Sequence, residues 1–133
     1  MIENNIPEVI HTVNKAMTKI DLGARMARDE MMKQLIQLAK EQIKGKRQPG
    51  DKAESGKPPM NRTGNLRRSI KGEKMREGFA TYSAIVGPTI IYGRRVELGG
   101  GNWPTGTKFP YMKPAWERFR PMALGIIRKH LAL

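Results

Sequence analysis

Residues 6–43 read IPEVIHTVNKAMTKIDLGARMARDEMMKQLIQLAKEQI. Apolar side chains recur at Ile6, Ile10, Val13, Met17, Ile20, Ala24, Ala27, Met31, Leu35 and Leu38, in steps of three and four. That spacing holds one face of an α-helix. Pro7 suits a first turn, where a missing N–H costs nothing. Gly23 lies inside the pattern and is expected either to kink the helix or to break it into a helical hairpin. Unbroken, a helix over residues 7–43 would be about 55 Å long. A 15.0 kDa chain cannot cover such a helix by itself. The face carrying Val13, Met17, Ile20 and Ala24 is therefore expected to pack on another subunit or on the chain's own sheet.

Beyond this helix the composition changes. Residues 44–61 hold Lys44, Lys46, Arg47, Lys52 and Lys57 among Gly45, Gly50, Gly56, Pro49, Pro58 and Pro59, with almost nothing apolar. Such a segment builds no core and is expected to be a basic, flexible loop. Residues 66–75 alternate as a strand, with Leu66, Arg68, Ile70 and Gly72 on one side and Arg67, Ser69 and Lys71 on the other. Residues 79–86 alternate likewise, with Phe79, Thr81, Ser83 and Ile85 on one side. The two are expected to form an antiparallel hairpin, turning at Arg76-Glu77-Gly78 with Gly78 at positive φ, and ended by Gly87-Pro88. Tyr92, Arg95, Val96 and Leu98 suit a short helix that stops at Gly99. A glycine-rich loop follows to Thr107, then a short extended segment over residues 108–112. A last helix is expected from near Pro114, kinked or divided at Pro121. The prediction is an α+β fold: a long N-terminal helix, a small antiparallel hairpin, a short helix and a C-terminal helix. Its 133 residues make one domain, with residues 1–43 helix, 44–61 loop and 62–133 sheet plus last helix.

Charge and rare residues narrow the chemistry. Lys plus Arg number 25 against 12 Asp plus Glu, a formal net charge of +13. That surplus points to a polyanion or to a neighbour with an acidic face. There is no cysteine, so there is no disulfide framework and no thiolate chemistry. His11 and His130 stand at opposite ends of the chain and read as helix-surface or core-edge residues. No cluster has metal-ligand spacing, and no run is apolar enough for a membrane span. Residues 1–10 carry two Glu and no cation, unlike a signal peptide. No catalytic residue, cofactor or metal is expected.

Residues 50–57 run from Gly50 to Gly56-Lys57 and only superficially resemble a phosphate-binding loop. Five residues separate the glycines, and Pro58 stands where a Ser or Thr would be needed. Arg67 and Arg68 are candidates for binding phosphate or carboxylate, or else are solvated cations. Lys46, Arg47 and Lys52 join them as candidates for facing DNA. Glu97 follows Arg94 and Arg95 and is expected to pair with an arginine. Tyr92, Trp103, Tyr111 and Trp116 could stack on bases. They are not interleaved regularly with Lys or Arg, which favours packing.

Three segments, taken in order, resemble a known family. They are Pro59 with Thr63-Gly64-Asn65-Leu66-Arg67-Arg68-Ser69-Ile70; Val86-Gly87-Pro88 with Tyr92-Gly93 and Val96-Glu97-Leu98-Gly99; and Phe109-Pro110-Tyr111-Met112-Lys113-Pro114-Ala115. Together with the long N-terminal helix, these are similar to the small tail-component proteins of long-tailed bacteriophages, often called tail-completion or head–tail joining proteins. Gly93 stands where that family commonly has Ala, and Leu98 where it has Phe. The resemblance implies a non-enzymatic ring subunit of the virion neck, six- or twelve-fold, assembled in the host bacterial cytoplasm. Its partners would be other copies of itself, a head-closure or adaptor ring, a tail-terminator or tail-tube protein, and phage DNA contacted without sequence preference. The rival from the residues alone is a free-standing basic nucleic-acid-binding module.

Overall fold

A computed structural model describes residues 2–43, 54–61 and 63–132. The order is α1 (Ile2–Gln42), α2 (Asn65–Ser69), β1 (Ile70–Lys74), β2 (Ala84–Pro88), α3 (Gly93–Leu98) and α4 (Met112–Leu131). The architecture is α+β, with a long N-terminal helix, a two-stranded antiparallel sheet, a short helix and a C-terminal helix.

α1 is one helix of 41 residues, and it begins five residues ahead of Pro7. Gly23 neither kinks it into a hairpin nor ends it. A Cβ there would stand 2.6 Å from the His130 carbonyl oxygen and 2.9 Å from Leu131 Cδ2. The glycine lets the end of α4 approach the α1 backbone, which a larger residue would block. From this contact α4 runs antiparallel along the C-terminal half of α1. Ala27, Phe119 and Ile126 form one buried cluster, with Met31, Leu35 and Leu38 against it. Ala39, Ile43, Ile70, Tyr111 and Ala115 form the second. α4 continues through Pro121 as a single helix, so the expected division does not occur.

N-terminal to Gly23 the situation reverses. Every residue from Ile6 to Leu22 is exposed. Val13 is 50%, Met17 55% and Ile20 58% exposed, while Ala24, one turn on, is half-buried. The stripe is thus continuous in sequence but covered by the chain only in its second half. The chain's own sheet does not cover Val13, Met17 or Ile20.

Two strand assignments need correction. Residues 65–69 are a helical turn, so Leu66 to Ser69 do not alternate across a sheet and Arg67 and Arg68 do not project to opposite faces. Gly64, at φ 80, starts this turn, and its carbonyl accepts the Arg68 N–H at 2.9 Å. The first strand begins only at Ile70. The second runs over Ala84–Pro88 rather than 79–86, with Ile70 opposite Pro88 and Lys74 opposite Ala84. Gly87 and Pro88 belong to the strand. Proline is tolerated there because it sits at a strand end in a ladder where both strands are edges. The connection closes through a Gly78–Thr81 bridge, and the positive φ falls at Ala80, not Gly78. Gly72 faces α1, where a Cβ would meet Met32 Sδ at 2.7 Å.

Ion pairs fasten the hairpin to α1. Arg28, only 7% exposed, donates to Asp29 at 3.1 Å and to Glu77 at 3.0 Å. Arg25 meets the other Glu77 oxygen at 2.9 Å, and Lys74 meets Asp29 at 3.3 Å. Tyr82 donates its hydroxyl to Asp21. Burial opposes the Arg28 charge, but hydrogen bonds to Glu77 and Asp29 outweigh it and raise the guanidinium above its ordinary value. Burial likewise pushes Asp29 up, and its bonds to Arg28 and Lys74 overcome this and hold it below the usual carboxylate range. At the far end of α4, Lys129 and His130 reach Glu30 at 2.9 and 2.5 Å and lower its value.

These depressed carboxylates set a direction for pH. On acidification the unfolded chain takes up protons at Asp29 and Glu30 before the folded chain does. Their stabilisation is whole above the ordinary carboxylate range, near about pH 4. It is lost as pH falls through the depressed folded values. Thermal melts from neutral pH downward are expected to hold level and then drop steeply below that range, with a shallower drop in Glu30→Gln. A melting temperature that stays level through pH 3 (about one unit below that range) contradicts this account.

Candidate functional site

The three family-like segments, distant in sequence, meet in one place. In the first, Thr63 Oγ1 accepts the Asn65 N–H at 3.3 Å, and Ser69 donates its hydroxyl to the Leu66 carbonyl at 2.6 Å. Arg68 folds back and donates to the Thr63 carbonyl at 3.2 Å and to Asn65 Oδ1 at 2.7 Å. Glycine suits position 64 because its φ of 80° lies in the left-handed region that side chains disfavour.

The second segment holds the third. The Val96 carbonyl accepts the Phe109 N–H at 2.7 Å. Glu97 then accepts three backbone N–H groups in succession: Tyr111 at 2.7 Å, Met112 at 2.9 Å and Lys113 at 3.0 Å. Those groups open α4 and have no partner inside the helix. Pro114, next in line, has no N–H to satisfy. Among the described residues Glu97 pairs with no arginine; it caps a helix, where a negative charge also meets the positive end of the dipole. Tyr111 is fully buried and donates its hydroxyl to the Gly93 carbonyl at 2.9 Å. Burial, with Glu97 nearby, holds that hydroxyl well above the usual phenol range. Gly93 is small of necessity, because a Cβ would stand 2.6 Å from the Pro88 ring. Ile70 and Ala115 are buried beside Tyr111. The chain turns away from α3 at Gly99, φ 78, whose N–H bonds to the Arg95 carbonyl at 2.6 Å. Pro110 leads from Phe109 into the capped turn.

Between these segments lies a cleft of about 330 Å³. Met60, Leu66, Tyr92, Val96, Trp103 and Phe109 form its walls, and Arg95 lines it as well. Trp103 and Phe109 meet edge to face, ring centres 5.4 Å apart. Beside it is a second depression of about 310 Å³ lined by Lys40, Arg67 and Arg68, sharing Asn61 and Gly64 with the first. The loop edge beneath is fastened down: Gly56 N–H bonds to the Lys108 carbonyl at 2.8 Å, and the Lys108 N–H bonds to Ser55 Oγ at 3.2 Å. This part of the loop is tied to the body, unlike the flexible segment expected.

The sequence-derived candidates divide accordingly. Arg67 and Arg68 stand together in the cationic depression, and Tyr92, Val96 and Phe109 share the cleft. Lys46, Arg47 and Lys52 lie outside the described residues. Val13, Met17 and Ile20 are remote from the cleft, on the uncovered part of α1. Of the aromatic candidates, Tyr111 belongs to the core, Trp116 packs on Phe119, and Tyr92 and Trp103 line the cleft. Lys40 and Met60 join the site without any local sequence signal that marks them. Among the described residues no group of three or more His, Cys, Asp or Glu is placed to hold a metal ion. No described helix is long and apolar enough to cross a membrane. Comparison with family models, with curated proteins and with solved structures finds no match to this chain.

Proposed function

We propose that the chain is a structural subunit of the head–tail junction of a long-tailed bacteriophage, one copy in a ring around the DNA passage. The observation that carries this reading is the uncovered apolar stripe of α1. Ile6, Ile10, Val13, Met17 and Ile20 are each about half exposed on one helical face. With Val9, 58% exposed, they form a run of neighbouring exposed apolar side chains rather than the scattered single ones that are ordinary on a monomer. A closed ring needs two different faces per subunit. The helical arm supplies one and the basic body the other. The arm carries Glu3, Glu8 and Asp21 against Lys15 and Lys19, so the body bears the whole positive surplus. That surplus suits contact with DNA phosphates, which carry no sequence information.

The test is genetic and visual. In a phage whose copy of this gene is interrupted, filled capsids and separate tails are expected to accumulate unjoined. Infectious particles in normal number overturn the proposal. The rival, a free-standing nucleic-acid module, would instead bind duplex DNA as a monomer or dimer with a steep salt dependence. A ring subunit is expected to bind duplex weakly, about 10⁻⁴–10⁻⁶ M at physiological salt, the range of non-specific contacts.

A further inference from the structure

The cleft and the cationic depression are two halves of one surface, joined at Asn61 and Gly64. Arg95 stands in the first half; Lys40, Arg67 and Arg68 stand in the second. Among the described residues lining either half there is no Asp or Glu. None of the four cations is in an ion pair among the described residues. Arg68 is held in position by two neutral oxygens, so its charge is placed but not compensated. The apolar half has the opposite character. Tyr92 is 44% exposed and Trp103 is set edge-on against Phe109. The cleft volume falls at the small end of the roughly 300–1,000 Å³ usual for compact ligands.

A ligand that satisfies both halves has a flat ring for the cleft and negative charge within a few ångströms of it. Nucleotides have this build. A duplex does not fit, because its bases are stacked and paired and only its phosphates could reach the cations. We propose that this composite site binds unpaired nucleotides, in a single strand or a frayed end. The base lies against Tyr92 and Trp103, and the flanking phosphates lie on Lys40, Arg67 and Arg68. Stacking platforms beside a basic groove are the general means of holding single strands without reading their sequence. The inference stands on this surface alone and is independent of the ring.

Fluorescence anisotropy of the full chain with labelled oligothymidylate of about ten nucleotides, within the usual single-strand site size, tests it against the same strand in duplex. At physiological salt the single strand is expected to bind at least about tenfold more tightly, as stacking of a base or two supplies. Tyr92→Leu keeps the apolar bulk and is expected to reduce single-strand affinity to the duplex level. Lys40→Ala with Arg67→Ala is expected to weaken both and to flatten the salt dependence. A second readout does not depend on these variants folding. In Trp116→Phe, the remaining tryptophan is Trp103, and its fluorescence is expected to be quenched by the single strand and not by the duplex. Equal affinity for the two forms overturns the proposal, as does single-strand binding that leaves Trp103 unquenched in the bound state. Binding of neither form also overturns it.

Discussion

Glu97→Ala is expected to lower the folding stability by about 2–3 kcal/mol, more than any other single carboxylate in the chain. The magnitude follows from three N–H groups left without a partner at a partly buried helix start. Hydrogen bonds to a charged acceptor contribute about 1.5–3 kcal/mol, and loss of a helix cap about 0.5–2 kcal/mol. The three are not additive, because Tyr111, Met112 and Lys113 share one carboxylate and water can reach part of the opened turn. Glu97→Gln keeps one carbonyl acceptor and the side-chain length, so about half the loss is expected. Urea denaturation of the three proteins decides the matter. If Glu97→Ala unfolds at the same urea concentration as the parent, the carboxylate is not what secures α4.

The second large effect leaves the fold untouched. Met17→Glu with Ile20→Glu is expected to abolish self-association while leaving the melting temperature of the monomer within about a degree. Substitutions at exposed sites that make no buried contacts usually stay within about 0.5 kcal/mol. In an assembled interface the same two carboxylates would be buried without partners, which costs several kcal/mol each. Light scattering and native mass spectrometry of the purified chain report the association. Thermal unfolding under dilute conditions reports the monomer. Normal association of the double variant removes this face from the interface. A large loss of monomer stability would mean that the chain itself covers Met17 and Ile20.

The helices are legible in the sequence because their apolar positions repeat over many turns. Ile6 to Leu38 leave little choice of period, and Gly99 marks the end of α3. The strands are legible only as a pair. In the run from Leu66 to Ile70 only those two residues are apolar, and their spacing of four fits one helical turn as well as one face of a strand; the left-handed Gly64 decides for the turn. Gly87 and Pro88 resemble a terminator, and only the pairing of Pro88 with Ile70 shows them to be strand. Gly23 looks like a weakness in α1, whereas it is the point of closest approach to α4. A glycine that breaks a helix and one that admits a neighbour are identical in a single sequence. Glu97 is the clearest case at the site. Its nearest cations in sequence are Arg94 and Arg95, but its partners lie 14 to 16 residues on, and they are backbone groups carrying no side-chain signature. The three segments that form the cleft stand out in the sequence, but their convergence with Lys40 depends on how α1 lies across the sheet.

Because α1 passes Gly23 without a joint, its outer and inner halves keep a fixed angular phase. Insertion of one residue before Gly23 would turn the stripe at Ile6 to Ile20 by about 100° about the helix axis and advance it by about 1.5 Å. The body would fold as before, its seam with α4 intact, yet the outer face would look in a wrong direction. Seven inserted residues would restore the facing to within about 20°, with the arm longer by two turns. Natural variation in this segment is therefore expected to come in whole turns, as the teeth of a gear can be multiplied but not shifted by a fraction.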